Sequence, residues 1–475
     1  MITSRYNFRI AIGLCLLAAM FVVTTLGLVK KNVASAPTAA AAELNADKTP
    51  FTDGSVHEGV MGCYGSTCHS RQEATGIVVR QNEILTWQDE TSTTSAHVRA
   101  YKVLKTERSK GITARLGLKE PHLEPSCLGC HSDNVPESLR GARFQFEDGI
   151  GCEACHGGST NWLSQHYAEG ASHSKNVSLG LYPLEDAKTR ATVCLSCHLG
   201  SEADNQFVTH RMMAAGHPRI SFELDLFTAL QSHHSEDVDY YERKTVQSGA
   251  HKWAIGQVVA MQRQLKLFAN PALNHDGAFP ELVFFDCLAC HRTISDDPDW
   301  RPEVRSNPGR PQMPGLVKFN DANMIMLLAT AREIAPDMAG ELDNAIRGFH
   351  SSLAGNGQTT ELASATLMQL SETLLTRISA TDFSKAQTLN ILDTVVAGTL
   401  GRRYTDYVAA EQAIMAVDTL LSSMIAVKQV ASIDVIDMRD EINRGYDAVE
   451  RPNDYDQDQL VSALGIIQTR LRELR

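Results

Sequence analysis

A mainly α chain in two parts is what the sequence predicts: a loop-rich stretch over 46–294, then an all-helical bundle over 316–475. Three observations carry this reading. Ten of the 11 cysteines lie between Cys63 and Cys290, whereas the last 160 residues hold no cysteine and one histidine. Residues 295–315 contain five of the 16 prolines, which marks a linker or extended wrap. Beyond it, apolar residues recur at helical spacing. With 475 residues and 43% hydrophobic content, the chain is long enough for two or three globular domains and is not disordered. The 44 Lys+Arg against 56 Asp+Glu, a formal charge of -12, exclude a nucleic-acid partner, which needs a basic face.

From the N-terminus, residues 10–29 form a 20-residue stretch without a charge, preceded by Arg5 and Arg9 and followed by Lys30 and Lys31. That length just spans a hydrocarbon core, so an uncleaved anchor is favoured over a signal peptide cut near 34–36, where Pro37 follows. Residues 1–45 are therefore read as anchor and Ala-rich tether, with Cys15 a thiol in the membrane segment. The remainder is expected on the periplasmic side of the cytoplasmic membrane, or in the periplasm if the segment is cleaved. Within 46–294, helices are expected at 83–105, 208–216, 222–230 and 245–269, separated by long loops. In the C-terminal part, Tyr407, Ala410, Ile414, Val417, Leu421 and Met424 alternate three- and four-residue steps. Similar stretches at 319–335, 338–354, 360–379, 383–400, 431–446 and 456–474 make a bundle of about seven helices. Their apolar stripes read as internal core; a docking or dimer face is the sharper alternative.

The cysteines fall in pairs, each closed by a histidine. Four pairs read Cys-x-x-Cys-His: Cys127 and Cys130 with His131, Cys152 and Cys155 with His156, Cys194 and Cys197 with His198, and Cys287 and Cys290 with His291. The fifth is wider, Cys63 and Cys68 with His69, and Tyr-Gly-Ser-Thr between the cysteines. Composition alone predicts about 0.01 such matches by chance, and the spacing is that of c-type haem attachment. Two thiols add to the two vinyl groups of one porphyrin, and the next histidine lies under the iron. A zinc ribbon does not require a histidine after every pair, and five redox pairs without a thioredoxin-like strand pattern would have no purpose. Five covalently attached haem c groups are expected.

Twelve histidines remain after the five proximal ones, 11 of them in the same stretch as the cysteines. Two imidazoles per iron make a closed, electron-transferring centre; a missing one leaves an open site for substrate. His210 and His217 are seven apart, two helical turns, although Gly216 and Pro218 point to His217 lying at a helix end. Either of His233 and His234 could supply one further ligand. His251 opens an amphipathic stretch and reads as a helix N-terminal residue. His57, His122 and His275 fall in Gly- or Pro-rich loops, where exposure is normal, and His350 reads as a helix-surface residue.

The order of these motifs, with Cys-Leu-Gly-Cys-His and Gly-Ile-Gly-Cys-Glu-Ala-Cys-His-Gly-Gly at 149–158, resembles the tetrahaem cytochrome c-554 family over residues 57–200. The resemblance implies that His166, ten residues after His156, is the second ligand of the His69 haem. It also implies His97, from the Trp/Thr/His segment, as partner of His156, and, less directly, His173 as partner of His198. His131 would be the one axial ligand of an open iron, unless His210 or His217 closes it. The wider first motif and the fifth motif at Cys287 depart from the family. The expected function is electron transfer between redox partners of a respiratory chain. The alternative is a multihaem oxidoreductase acting at His131 on a small nitrogen or sulfur compound; a third is a scaffold subunit held through residues 316–475.

Overall fold

A computed structural model describes residues 48–475 apart from 73–80, 203–205, 235–239, 241–245, 278, 292–295, 300–309, 311–316, 356 and 404–405. The expected anchor, tether and Cys15, and most of the linker at 295–315, lie outside the described residues. Helix dominates the regular structure, as the mainly α expectation requires. The described strands are a single hairpin, β1 His275–Asp276 and β2 Phe279–Pro280.

The chain divides into two compact units. The first holds the described residues up to Val193 and those of 227–245; the second holds those of 194–202, 206–226 and 246–475. The boundary expected at 294 thus falls inside the second unit, and the fourth and fifth cysteine motifs belong with the C-terminal helices.

The first unit is short helices and loops. α1 (Glu83–Gln88) and α2 (Ala100–Val103) replace the continuous helix expected over 83–105. The chain between them explains the break. Asp89 accepts hydrogen bonds from Thr91 N and Oγ1 at 3.0 and 2.6 Å, and Ser92 Oγ accepts from Thr94 N at 3.2 Å. Such side chains offer the backbone an alternative to helical bonding and win in a run of Thr and Ser. α3 (Glu107–Leu116) is capped by Thr106 and stopped by Gly117 in the left-handed conformation. α4 (Pro125–His131), α5 (Glu153–His156) and α6 (His173–Ser178) follow. Two small apolar clusters organise the unit, and both are built against motif cysteines: Val60, Trp87 and Val98 with Cys152, and Tyr101, Leu104 and Leu128 with Cys127 and Phe146.

α7 (Ala187–His198) ends on the fourth motif, and α8 (His210–Ala214) begins at Thr209, whose side chain accepts from Met212 N. α8 stops before Gly216, so His217 lies past the helix end, as Gly216 and Pro218 foretell. α9 (Leu224–Leu230) is followed by α10 (Gly249–Ala269), the helix that most alters the domain picture. Its buried residues sit all round: Ala250, Trp253, Ala254, Ile255, Gly256, Val258, Val259, Ala260, Met261 and Leu265. α10 is therefore enclosed on every side and is a bundle helix rather than part of the loop-rich region.

The bundle continues with α11 (Ala322–Ile334), α12 (Pro336–Ser352), α13 (Gly357–Ser379), α14 (Lys385–Leu400), α15 (Tyr407–Ala426), α16 (Ser432–Ile436), α17 (Arg439–Ala448) and α18 (Gln457–Glu473). α10 packs on α11, α13 and α15; α14 packs on α15 and α18. Gln257 ties three helices, donating to Gln412 Oε1 at 3.1 Å and accepting from Asn323 Nδ2 at 2.8 Å. Among the described residues α15 alone is long and apolar enough to cross a membrane, but 89% of its apolar window is buried. Its stripe residues Tyr407, Ala410, Ile414, Val417, Leu421 and Met424 are all core.

Candidate haem-binding site

The motif spacing has a direct structural meaning. In an α-helical turn, residues i, i+3 and i+4 share one face, so Cys-x-x-Cys-His places two thiols and an imidazole together. The second motif is the last turn of α4 and the fourth the last turn of α7; the third is α5 preceded by Cys152. In the third and fifth motifs the histidine N–H bonds back to the first cysteine carbonyl, His156 to Cys152 at 2.9 Å and His291 to Cys287 at 2.7 Å. The wider first motif reaches the same end differently. Cys68 N donates to Gly65 O at 2.9 Å and Gly65 N donates to Ser70 Oγ at 3.1 Å, so the extra residues fold into a turn.

None of the ten cysteines from Cys63 to Cys290 is in a disulfide. Cys68 and Cys290 are exposed; the other eight are half-buried. Cys130 sits in the last turn of α4, one residue before His131. Cys155 lies in α5, its N–H donating to Cys152 O at 3.2 Å. Cys197 ends α7 beside His198, and its sulfur is engaged by the fold, accepting from Gln206 Nε2 at 3.8 Å with Ser196 Oγ at 3.7 Å. Among the described residues, the side chains close enough to share one metal ion are His156 with His233 and His234, and His57 with Asp133 and Glu153. Cys130, Cys155 and Cys197 belong to neither group, and no other cysteine does. A zinc site would gather its sulfurs around one ion, whereas thioether attachment aims each sulfur at a porphyrin edge.

The third motif is also the most constrained. Gly149 has φ 68°, and a Cβ there would lie 2.6 Å from the His97 carbonyl oxygen. Ile150 N donates to that same oxygen at 3.1 Å. Glu153, inside the motif, accepts from the backbone N–H of Glu58, Gly59 and Ser159 at 2.9, 2.6 and 2.7 Å, lashing it to the first-motif loop. The first and third motifs touch through sulfur as well. A hydrogen bond from Cys152 draws the Cys63 thiol below its ordinary pKa, and the same bond, with burial, pushes Cys152 well above. Burial raises the Cys127 and Cys287 thiols.

Imidazole pairs are the second feature. A ring nitrogen about 2 Å from a metal puts the ring centre about 3 Å away, so two imidazoles across one iron have centres about 6 Å apart. His69 and His166 have centroids 6.2 Å apart. His210 and His291 stand at 6.1 Å. His156 faces His234 at 5.9 Å and His233 at 6.4 Å. Thiol pairs beside opposed imidazoles at this separation are a donor set that fits haem c.

Nitrogen usage sorts the histidines further, because a ring whose Nδ1–H is donated keeps Nε2 as the metal-binding lone pair. His131 donates Nδ1–H to Ala100 O at 2.8 Å, His166 to Leu163 O at 2.5 Å, His217 to Pro218 O at 2.7 Å and His233 to Gln231 O at 2.9 Å. His69 and His234 both turn Nδ1 to Glu83, at 3.1 and 3.4 Å. Burial pulls His156 down to about 3 and His233 down to about 4, with the neighbouring histidines adding to it, and burial also lowers His131 and His97. These rings are neutral near pH 7, the state a metal requires. The Glu83 carboxylate instead raises His69; burial works to raise Glu83 itself, but bonds from His234 and His69 carry it well below the usual carboxylate range.

Several expectations change. His97 is half-buried and hydrogen-bonds with Gln231, while the rings set against His156 are those of His233 and His234. His173 is half exposed and gives Nε2, the atom an iron needs, to Glu185. The ring set against His198 is Phe222, at 4.9 Å. His57 is fully buried rather than exposed, donating Nδ1–H to Asp133 at 2.8 Å and Nε2–H to Pro50 O at 3.1 Å. Burial opposes its charge, and the Asp133 carboxylate outweighs burial. His350 is buried against Asp321 at 3.0 Å rather than on a helix surface. His251 is the first-turn residue expected of α10, and its ring is buried beside Phe383.

Residues 62–157 match the family model of cytochrome c554 and c-prime. This segment of the chain is thus similar to c-type cytochromes, which hold haem c covalently and transfer electrons. The match takes in the first three motifs, Cys130 and Cys155 among them, and ends one residue beyond His156. Cys194, Cys197, Cys287 and Cys290 lie outside it, so their attachment role rests on spacing alone. No curated protein and no solved structure matches the chain.

Proposed function

We propose that this protein is a five-haem c-type cytochrome of the cell envelope that passes electrons between redox partners. The observation that supports it best is the set of opposed imidazoles beside the first, third and fifth motifs. When bound, haem c supplies a one-electron Fe(III)/Fe(II) couple. The chain's part is attachment and axial ligation. Attachment falls to Cys63 with Cys68, Cys127 with Cys130, Cys152 with Cys155, Cys194 with Cys197, and Cys287 with Cys290. His69 pairs with His166, His291 with His210, and His156 with an imidazole of the 233–234 pair. His131 and His198 are the proximal ligands of the other two irons, with His97 and His217 as candidate second ligands. Two strong-field imidazoles on an iron leave no room for substrate and change little on reduction, which suits transfer rather than catalysis. The thiol contact between Cys63 and Cys152 makes the first and third attachment points neighbours, a short route between two centres.

The charge of -12 suits a redox partner with a basic docking patch and a weak, salt-sensitive encounter. Residues 10–29 would hold the protein at the periplasmic face of the cytoplasmic membrane. Haemochrome analysis of protein made with haem-maturation machinery should return five haems per chain, with a mainly low-spin ferric spectrum. Four haems would remove the attachment at Cys63 and Cys68. Carbon monoxide binding by the reduced protein would mark an open iron and favour the oxidoreductase reading.

A further inference from the structure

Glu83 is the first residue of α1 and 8% exposed, an unusual place for a carboxylate in an apolar setting beside Ile84 and Trp87. The backbone holds it there: Ile84 N donates to His69 O at 3.0 Å, fastening the start of α1 to the first motif. Its two oxygens serve two different histidines. Oε2 accepts from His69 Nδ1 at 3.1 Å, and Oε1 accepts from His234 Nδ1 at 3.4 Å. Among the described residues no hydrogen bond engages Nε2 of either ring. The ring of His69 faces His166, and that of His234 faces His156.

We infer that Glu83 is a shared positioning carboxylate for two haem irons, that of His69 with His166 and that of His156 with His234. The inference rests on the five-haem reading above and deepens it. A carboxylate on the outer nitrogen of a ligating histidine fixes the ring's tautomer and angle and makes the imidazole a stronger donor, which favours the oxidised metal. One carboxylate acting on two rings moves two reduction potentials in the same direction. It also selects His234 over His233 as the partner of His156, since among the described residues the His233 Nδ1 turns to the Gln231 carbonyl rather than to a carboxylate.

The test is spectroelectrochemical titration of the full holoprotein and its Glu83→Gln, Glu83→Asp and His234→Ala variants. Haem count and spin state of the unaltered protein are measured first, and their failure sinks the five-haem reading rather than the role of Glu83. In Glu83→Gln, two of the five one-electron steps should move to higher potential. At fixed potential their reduced-to-oxidised ratio should rise about tenfold, or about 59 mV each. Glu83→Asp should restore part of both shifts, which a purely structural role would not produce. His234→Ala should convert one iron from low to high spin even with His233 in place. A single shifted step in Glu83→Gln, or an unaltered spin state in His234→Ala, overturns the shared role. Should Glu83→Gln fail to incorporate haem, the His234→Ala spectrum decides alone.

Discussion

At His166 the Nδ1–H is donated to the Leu163 carbonyl at 2.5 Å, and the ring stands 6.2 Å from His69 with its plane inclined by only 17°. A histidine so arranged has Nδ1 committed and keeps its Nε2 lone pair for a metal. On the proposed reading, His166→Ala should therefore turn one low-spin iron high-spin without loss of attached haem, because the thioethers remain; electron paramagnetic resonance with a haemochrome assay reads both. A spectrum unchanged from the parent would show that His166 is not a ligand. At this scale, what was legible is what neighbours in sequence decide. The histidines that close the motifs, each next to a cysteine such as Cys130, Cys155 or Cys197, follow from local spacing. The hold of Gln206 on the Cys197 sulfur does not, since it closes a loop nine residues long. His173, His57 and His350 could not be sorted from sequence, because what distinguishes them is a carboxylate, Glu185, Asp133 or Asp321, brought up by the fold. Glu83 carries no sequence signal at all; only its two histidine neighbours single it out.

Elements were legible in proportion to their length. α12, α13, α15 and α18 lie where helical apolar spacing puts them, since a long amphipathic stripe has one way to bury itself. α1 and α2 were not, because six- and four-residue helices have too few turns to show a period. Two predictions belong here. Ser248 caps α10 by accepting from His251 N at 3.2 Å, so Ser248→Ala should cost about 1 kcal/mol in denaturant unfolding. Gly149→Ala would place a methyl against the His97 carbonyl at a positive φ, so a loss of about 2 kcal/mol is expected by the same measurement. A neutral outcome at Gly149 would mean that the segments 97–100 and 149–151 are free to separate.

For the whole molecule, the second unit carries two buried carboxyls that hold their protons to unusually high pH. Burial, helped by the charge of Asp225, pushes Glu223 from 4.5 to about 7, and burial with Asp286 pushes Asp406 from 3.8 to about 7. Glu223 accepts from Asp225 N, Leu226 N and Thr419 Oγ1, bonds that favour its charged form but do not outweigh its desolvation. A raised carboxyl pKa means that the folded state keeps a proton the unfolded chain has released. Each such group thus withdraws stability as pH climbs to about 7, from about 4.5 for Glu223 and about 3.8 for Asp406, with a slope approaching 1.4 kcal/mol per pH unit. Unfolding measured at pH 5, 6 and 7 should show the decline, and Glu223→Gln should flatten it while lowering stability at pH 5, where it loses an acceptor. An equal slope in the variant would mean that Glu223 does not titrate in this range.

By itself the sequence determined how many cysteine–histidine motifs the chain has, where they lie, and that the rest of the C-terminal half is helix. Both follow from short-range geometry: one helical turn brings thiol, thiol and imidazole together, and one apolar stripe per helix defines a bundle. The pairing of His69 with His166 was already implied by the family resemblance, and the structure sets those rings 6.2 Å apart. Only the tertiary structure decided the other facing imidazoles: His210 and His291 are 81 positions apart, and His156 and His234 are 78. It also decided that α10 belongs to the bundle and that one carboxylate serves two rings. Pairings across such separations are chosen by packing, and no spacing rule along the chain encodes them.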